Sequence, residues 1–218
     1  VDTLSNNLVP AATATWEIDG TNRFLAASRV LEFAAIENLS GGSLADTFTV
    51  TAAHTGNLTG NGGNDVFTVT GVVVTGNLAG NADNDTFNFS GAADVTGTID
   101  GGAGGLDTMT LVGVATTVTH RFDNANDGQV DIDGRTLDYL GLDPIADNIS
   151  AVNRVFTFAG ATGDDITLGD DPTPLNSISR ISSVSSSETV DFVNPTGSLT
   201  VNAGVGADTV VVNAMDGF

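Results

Sequence analysis

Three features of the amino-acid sequence predict an all-β chain, a right-handed parallel β-helix (β-solenoid) with coils of about 19–22 residues. The first is a phrase written four times: Glu37-Asn38-Leu39-Ser40-Gly41, Gly56-Asn57-Leu58-Thr59-Gly60, Gly76-Asn77-Leu78-Ala79-Gly80 and Gly97-Thr98-Ile99-Asp100-Gly101, with starts 19, 20 and 21 residues apart. The second is an alternating phrase nine or ten residues after each start: Asp46-Thr47-Phe48-Thr49-Val50, Asp65-Val66-Phe67-Thr68-Val69, Asp85-Thr86-Phe87-Asn88-Phe89 and Asp107-Thr108-Met109-Thr110-Leu111. The third is a Gly/Asn/Asp loop between the two phrases of each copy, a composition that forms tight turns.

One copy explains why copies must stack. Phe67 and Val69 fall on one face of their strand and Val66, Thr68 and Thr70 on the other, and a lone coil cannot bury that apolar face. In-register stacking about 4.8 Å apart puts like on like. The expected ladders are Phe48, Phe67, Phe87, Met109, then Val50, Val69, Phe89, Leu111, then Leu39, Leu58, Leu78, Ile99.

In chain order, Val1-Asp2-Thr3-Leu4 looks like the end of an Asp-x-apolar phrase, and the 44 residues from Asp2 to Asp46 predict two coils of 22. Thr15–Ile18 and Val30–Phe33 read as strands around a turn at Asp19-Gly20-Thr21-Asn22. Arg23 to Ile36 is ambiguous between strand and helix, and Trp16 reads as core. The regular repeats occupy 37–111, irregular coils 112–154, and repeats resume over 155–218, all in a single solenoid domain 1–218. From Asp107 to Asp164 is 57 residues, three coils of 19, and from Asp164 to Asp208 is 44, two of 22. That arithmetic predicts about eleven coils and a length near 50 Å.

Composition narrows the setting. A net charge of −21, with all six cations Arg, excludes nucleic-acid binding through phosphate neutralisation. No run approaches 18 apolar residues, so no helix spans a membrane. With no Cys, stability rests on the core and on any bound ions. The chain begins at Val1 and ends at Asp216-Gly217-Phe218 within repeat-like sequence. That predicts a processed or excised piece of a secreted, extracellular protein, with open strand edges at both ends that stack head to tail on identical or similar units.

The loops carry the candidate chemistry. Gly60-Asn61-Gly62-Gly63-Asn64-Asp65, Gly80-Asn81-Ala82-Asp83-Asn84-Asp85, Gly102-Ala103-Gly104-Gly105-Leu106-Asp107 and Ala203-Gly204-Val205-Gly206-Ala207-Asp208 resemble the calcium-binding nonapeptide of RTX proteins. The likeness departs where Asn or Ala replaces the second Gly, and in being confined to one edge. It implies a Ca²⁺ ladder over Asp46, Asp65, Asp83, Asp85, Asp107 and Asp208, since stacked carboxylates repel and calcium prefers oxygen ligands. Asp and Asn that simply cap their own turns are the competing reading. The chain as a whole also resembles units of very large tandem-repeat bacterial surface proteins of adhesin type. That likeness implies a structural role in a surface fibre, with a glycan or other cell-surface ligand.

Other motifs are weaker. Asp123 to Gly128 begins like an EF-hand loop but has Ala125 and Gly134 where ligands belong, so it reads as an acidic turn. His54 and His120 lack a nucleophilic partner and read as surface or loop residues. A catalytic role is not expected. The alternatives are a polysaccharide lyase or epimerase, for which Lys is absent and the Arg residues do not recur at the coil period, and an ice-binding solenoid, whose threonine rows Val66 and Asn88 interrupt.

Overall fold

The computed structural model describes every residue except Val9, Pro10, Ala161, Thr162, Ser185, Ser186, Asp216 and Phe218, and the side chains of Ser187 and Glu188. The expected continuation of the repeat at Asp216 and Phe218 therefore lies outside the described residues. The chain is all-β: among the described residues there are strands and no helix, arranged in a large, mostly parallel sheet and a second, three-stranded one. Contacts divide it into two compact units, Val1–Met109 with Leu137–Gly141, and Thr110–Thr136 with Leu142–Phe218.

In the first unit the repeats pair in parallel and in register, as their apolar alternation demands. Leu4, Leu39, Leu58, Leu78, Ile99 and Tyr139 occupy one position on six successive rungs. All but Leu4 are buried. Beside them Trp16, Phe48, Phe67 and Phe87 align on consecutive strands, and their rings stack at centroid separations of 5.7, 4.7 and 4.9 Å. Val50, Val69 and Phe89 form the next column. His54–Thr55, Val73–Thr75 and Asp94–Val95 form the small parallel sheet.

The coil length of 19–22 residues holds from Leu39 to Asp107. Leu4 pairs directly with Leu39, and Trp16 with Phe48, so the residues from Asp2 to Asp46 make one rung rather than two. The extra length goes into an antiparallel hairpin. Arg23–Ala26 pairs with Ala14–Ile18, and Arg29–Glu32 pairs with Arg23–Ala26 around a turn where Ala27 and Ser28 have positive φ. This settles the ambiguous Arg23 to Ile36 stretch as strand. The hairpin also lays Phe24 against Trp16, with ring centroids 4.5 Å apart, and Phe33 sits on the same ring at 6.2 Å. The hairpin therefore covers the outer edge of Ala14–Ile18.

In the second unit Asn153–Thr157 pairs in parallel with Ser198–Asn202, and Asp165–Leu168 with Thr209–Val212, at offsets of 45 and 44 residues. The span from Asp164 to Asp208 is thus one rung, not two coils of 22. The antiparallel strand Ile178–Ser183 accounts for the added length. Thr108–Phe122 likewise folds back on Gly128–Ile132. Asn124 Oδ1 accepts the N–H groups of Asn126 and Asp127 at that turn, in keeping with its reading as an acidic turn.

Candidate functional site

Stacking carries the loop aspartates into a line. The N–H of Asp46 donates to Asp65 Oδ1, that of Asp65 to Asp85 Oδ1 and that of Asp85 to Asp107 Oδ1, each at 2.7 Å. The N–H of Asp164 donates to Asp208 Oδ1 at 3.0 Å. Each carboxylate therefore caps the backbone of the rung before it. At the first rung Ala14 stands where an Asp would, and Ala14 N–H and Asn6 Nδ2 donate to Asp46 Oδ1 while Gly42 N–H donates to Oδ2.

Asp46, Asp65, Asp85 and Asp107 are all buried. In Asp65 and Asp85 the second oxygen, Oδ2, has no hydrogen-bond partner among the described residues. It rests on a glycine: a Cβ built on Gly60 or Gly80 would stand 2.0 Å from Asp65 or Asp85 Oδ2. Gly41 and Gly101 face Asp46 and Asp107 in the same way, at 2.5 and 2.7 Å. None of these four glycines has positive φ. Their place in the repeat is set by the carboxylate that packs on them, not by turn geometry.

Burial, reinforced by like charge on the neighbouring rungs, pushes the Asp65 and Asp85 carboxyls up to about 7. Burial raises Asp46 and Asp107 as well. Asp83 stands apart: it is exposed, has positive φ, and its Oδ2 accepts the N–H of Gly63. Oδ1 of each ladder Asp faces an N–H, Oδ2 of Asp65 and Asp85 is pressed on glycine, and among the described residues no group of three or more His, Cys, Asp or Glu side chains converges on one point.

Asparagines make a second ladder of opposite sense. Asn57 N–H donates to Asn38 Oδ1, Asn77 N–H to Asn57 Oδ1 and Thr98 N–H to Asn77 Oδ1. Backbone amides are thus capped from both directions along the rungs, which fixes the register.

The second unit contains a cluster that the sequence reading missed. His120, Asp147 and Arg154 are fully buried. His120 Nε2 donates to Asp147 Oδ2 at 2.8 Å, Arg154 pairs with the same carboxylate, and Arg154 also donates to the Ile149 carbonyl at 2.7 Å. His120 stacks on Phe156, and Arg154 lies over the Phe192 ring. Burial drives His120 down despite the pull of Asp147. Burial alone would raise Asp147, but His120 and Arg154 hold it below its ordinary value. His54 is also buried, its Nε2 against the Glu37 carbonyl at 2.9 Å. Neither His is the surface residue expected.

Among known proteins, no family model, no curated protein and no solved structure matches this chain.

Proposed function

We propose that the chain is a structural module of a secreted bacterial surface fibre or adhesin, folded as a right-handed parallel β-helix whose rungs are widened at intervals by antiparallel hairpins. What carries this reading is the in-register column from Leu4 to Tyr139 with the aromatic stack beside it. A stack built this way resists extension along many backbone ladders at once, and it grows by adding rungs. The acidic surface keeps such rods apart in solution and suits a cation-rich exterior.

Weighing against the enzyme alternative, the cluster of His120, Asp147 and Arg154 in the second unit has no solvent exposure through which a polysaccharide could reach it. The threonine rows favoured by the ice-binding alternative are broken in register by Val66 and Asn88. Calcium does not enter this reading, because the ladder carboxylates are already engaged by backbone N–H groups.

Labelling intact cells of the source organism with antibodies against this chain tests the role. Label on the outer surface or on shed fibres is expected, and label confined to the cell interior overturns it.

A further inference from the structure

The strand Ile145–Phe158 of the second unit turns a corner between Asp147 and Arg154, with no Gly or Pro between them to signal it. A straight strand would hold those two residues about 23 Å apart, yet their side chains are in direct contact. The two arms of the corner pair with different strands, Ile145–Asp147 with Val190–Phe192 and Asn153–Thr157 with Ser198–Asn202. At the bend itself the carbonyls of Ala151 and Val152 accept the N–H groups of Thr196 and Gly197.

Asp147 pins this corner. Its carboxylate accepts from His120 Nε2 at 2.8 Å, from Arg154 and from the N–H of Ile149 at 3.1 Å, and Arg154 ties back to the Ile149 carbonyl at 2.7 Å. His120 comes from the strand Thr108–Phe122, and of these groups it is the one whose ordinary titration lies between pH 5 and 8. Its surroundings suit the neutral ring alone. With Nε2–H given to Asp147, Nδ1 is a buried atom that has no hydrogen-bond partner among the described residues. A proton there creates a buried donor without an acceptor, and sets a second cation beside Arg154 against one carboxylate. The other neighbours are apolar: Phe122 and Phe156 stack on the ring, Gly128–Ile132 places Val130 opposite it, and Ser187–Val193 adds Phe192 beside Phe156. Asp191 of that last strand is engaged by Arg180. Burial outweighs the attraction of Asp147, so the closed fold excludes a proton that the unfolded chain accepts near 6.5.

We propose that His120 is an acid trigger: in mildly acid solution the imidazole takes a proton from solvent at Nδ1, leaves the core, and lets the corner between Asp147 and Arg154 open locally while the first unit stays folded. Opening frees both arms from Val190–Phe192 and Ser198–Asn202 and exposes Phe156 and Phe192. The direction is opposite to that of the aspartate ladder, whose buried carboxyls take up protons with the fold closed.

Hydrogen exchange of the full chain, read by mass spectrometry between pH 8 and 5 and divided by the unfolded-chain rate at each pH, tests this. Segments 145–158 and 187–202 are expected to lose protection by up to about tenfold per pH unit below 6.5, and segment 38–107 to lose none. His120→Gln keeps a donor for Asp147 but takes no proton, and should abolish the pH-dependent loss. His54→Gln, at the only other His, should preserve it. Protection of both segments unchanged down to pH 5, or a loss that persists in His120→Gln, overturns the proposal. Nitrogen NMR of the imidazole in His54→Gln decides the matter even if His120→Gln does not fold. The ring should be the neutral Nε2–H tautomer at pH 7 and protonate only as the two segments lose protection, and protonation near 6.5 with protection retained overturns the proposal.

Discussion

At the residue scale the repeat is legible once the carboxylate is given its partner. Gly60 and Asp65 recur as a pair because Asp65 Oδ2 occupies the space a Cβ would need. Gly60→Ala should therefore cost about 3 kcal/mol or more in denaturant unfolding, although its φ suits any residue. Gly71→Ala, at φ +65 with nothing within 4 Å, should cost only about 1 kcal/mol from backbone strain. The alternation also held the signal for the buried cluster. His120 keeps phase with Val118 and Phe122, Asp147 with Ile145 and Ile149, and Arg154 with Phe156 and Phe158. Residue type pointed to the surface, and strand phase pointed correctly to the core. The ladder also fixes a pH dependence. Asp65 and Asp85 titrate near 7 in the fold, against about 3.8 for the unfolded chain. The folded state thus binds protons that the unfolded state does not over that interval, and stability rises as pH falls from 8 towards 5. Trp16, the one Trp, stacks at the end of the same unit's aromatic column. Its fluorescence midpoint in urea should move to higher concentration on acidification, and Asp65→Asn should flatten part of that slope. Asp65→Ala, which removes the cap on Asp46, should cost about 1–3 kcal/mol at pH 8. In the second unit His120 works in the opposite direction. Its folded pKa is depressed, so its contribution to stability falls as pH drops below 6.5.

At the element scale, the regular strands were legible because period-two alternation and a loop of constant length repeat together. The hairpins were not. Arg23–Ala26 with Arg29–Glu32, and Ile178–Ser183, insert antiparallel strands that obey the same alternation as the rungs. Periodicity registers that a strand is present but not the direction in which it pairs. Dividing the long intervals by the repeat length turned single rungs, offset by 32–35 residues at one end and 44–45 at the other, into pairs of 22. The first hairpin has an energetic role of its own, because Phe24, with Phe33 just beyond it, packs on the buried Trp16 ring. Phe24→Ala should red-shift Trp16 emission and lower stability by about 2–4 kcal/mol. Unchanged emission would mean that the hairpin does not cover the column.

At the scale of the whole molecule, hydrogen bonds from the carboxylate and carboxamide ladders hold the register of the repeats. Excess chelator should leave the melting temperature unchanged, whereas a ligand bound only by the folded state would lower it on removal. The central claim is that successive copies lie parallel and in register, and it is tested most directly by paired spin labels in this cysteine-free chain. Thr49 and Thr68 are aligned on adjacent strands, and Asn88 lies one strand further on. Cysteines at 49 and 68 should place two nitroxides on neighbouring strands about 5 Å apart, with strong dipolar broadening, and cysteines at 49 and 88 about 10 Å apart, with weaker broadening. Equal broadening from both pairs, or none from the first, would contradict the stacked order on which the fold and the ladder both depend.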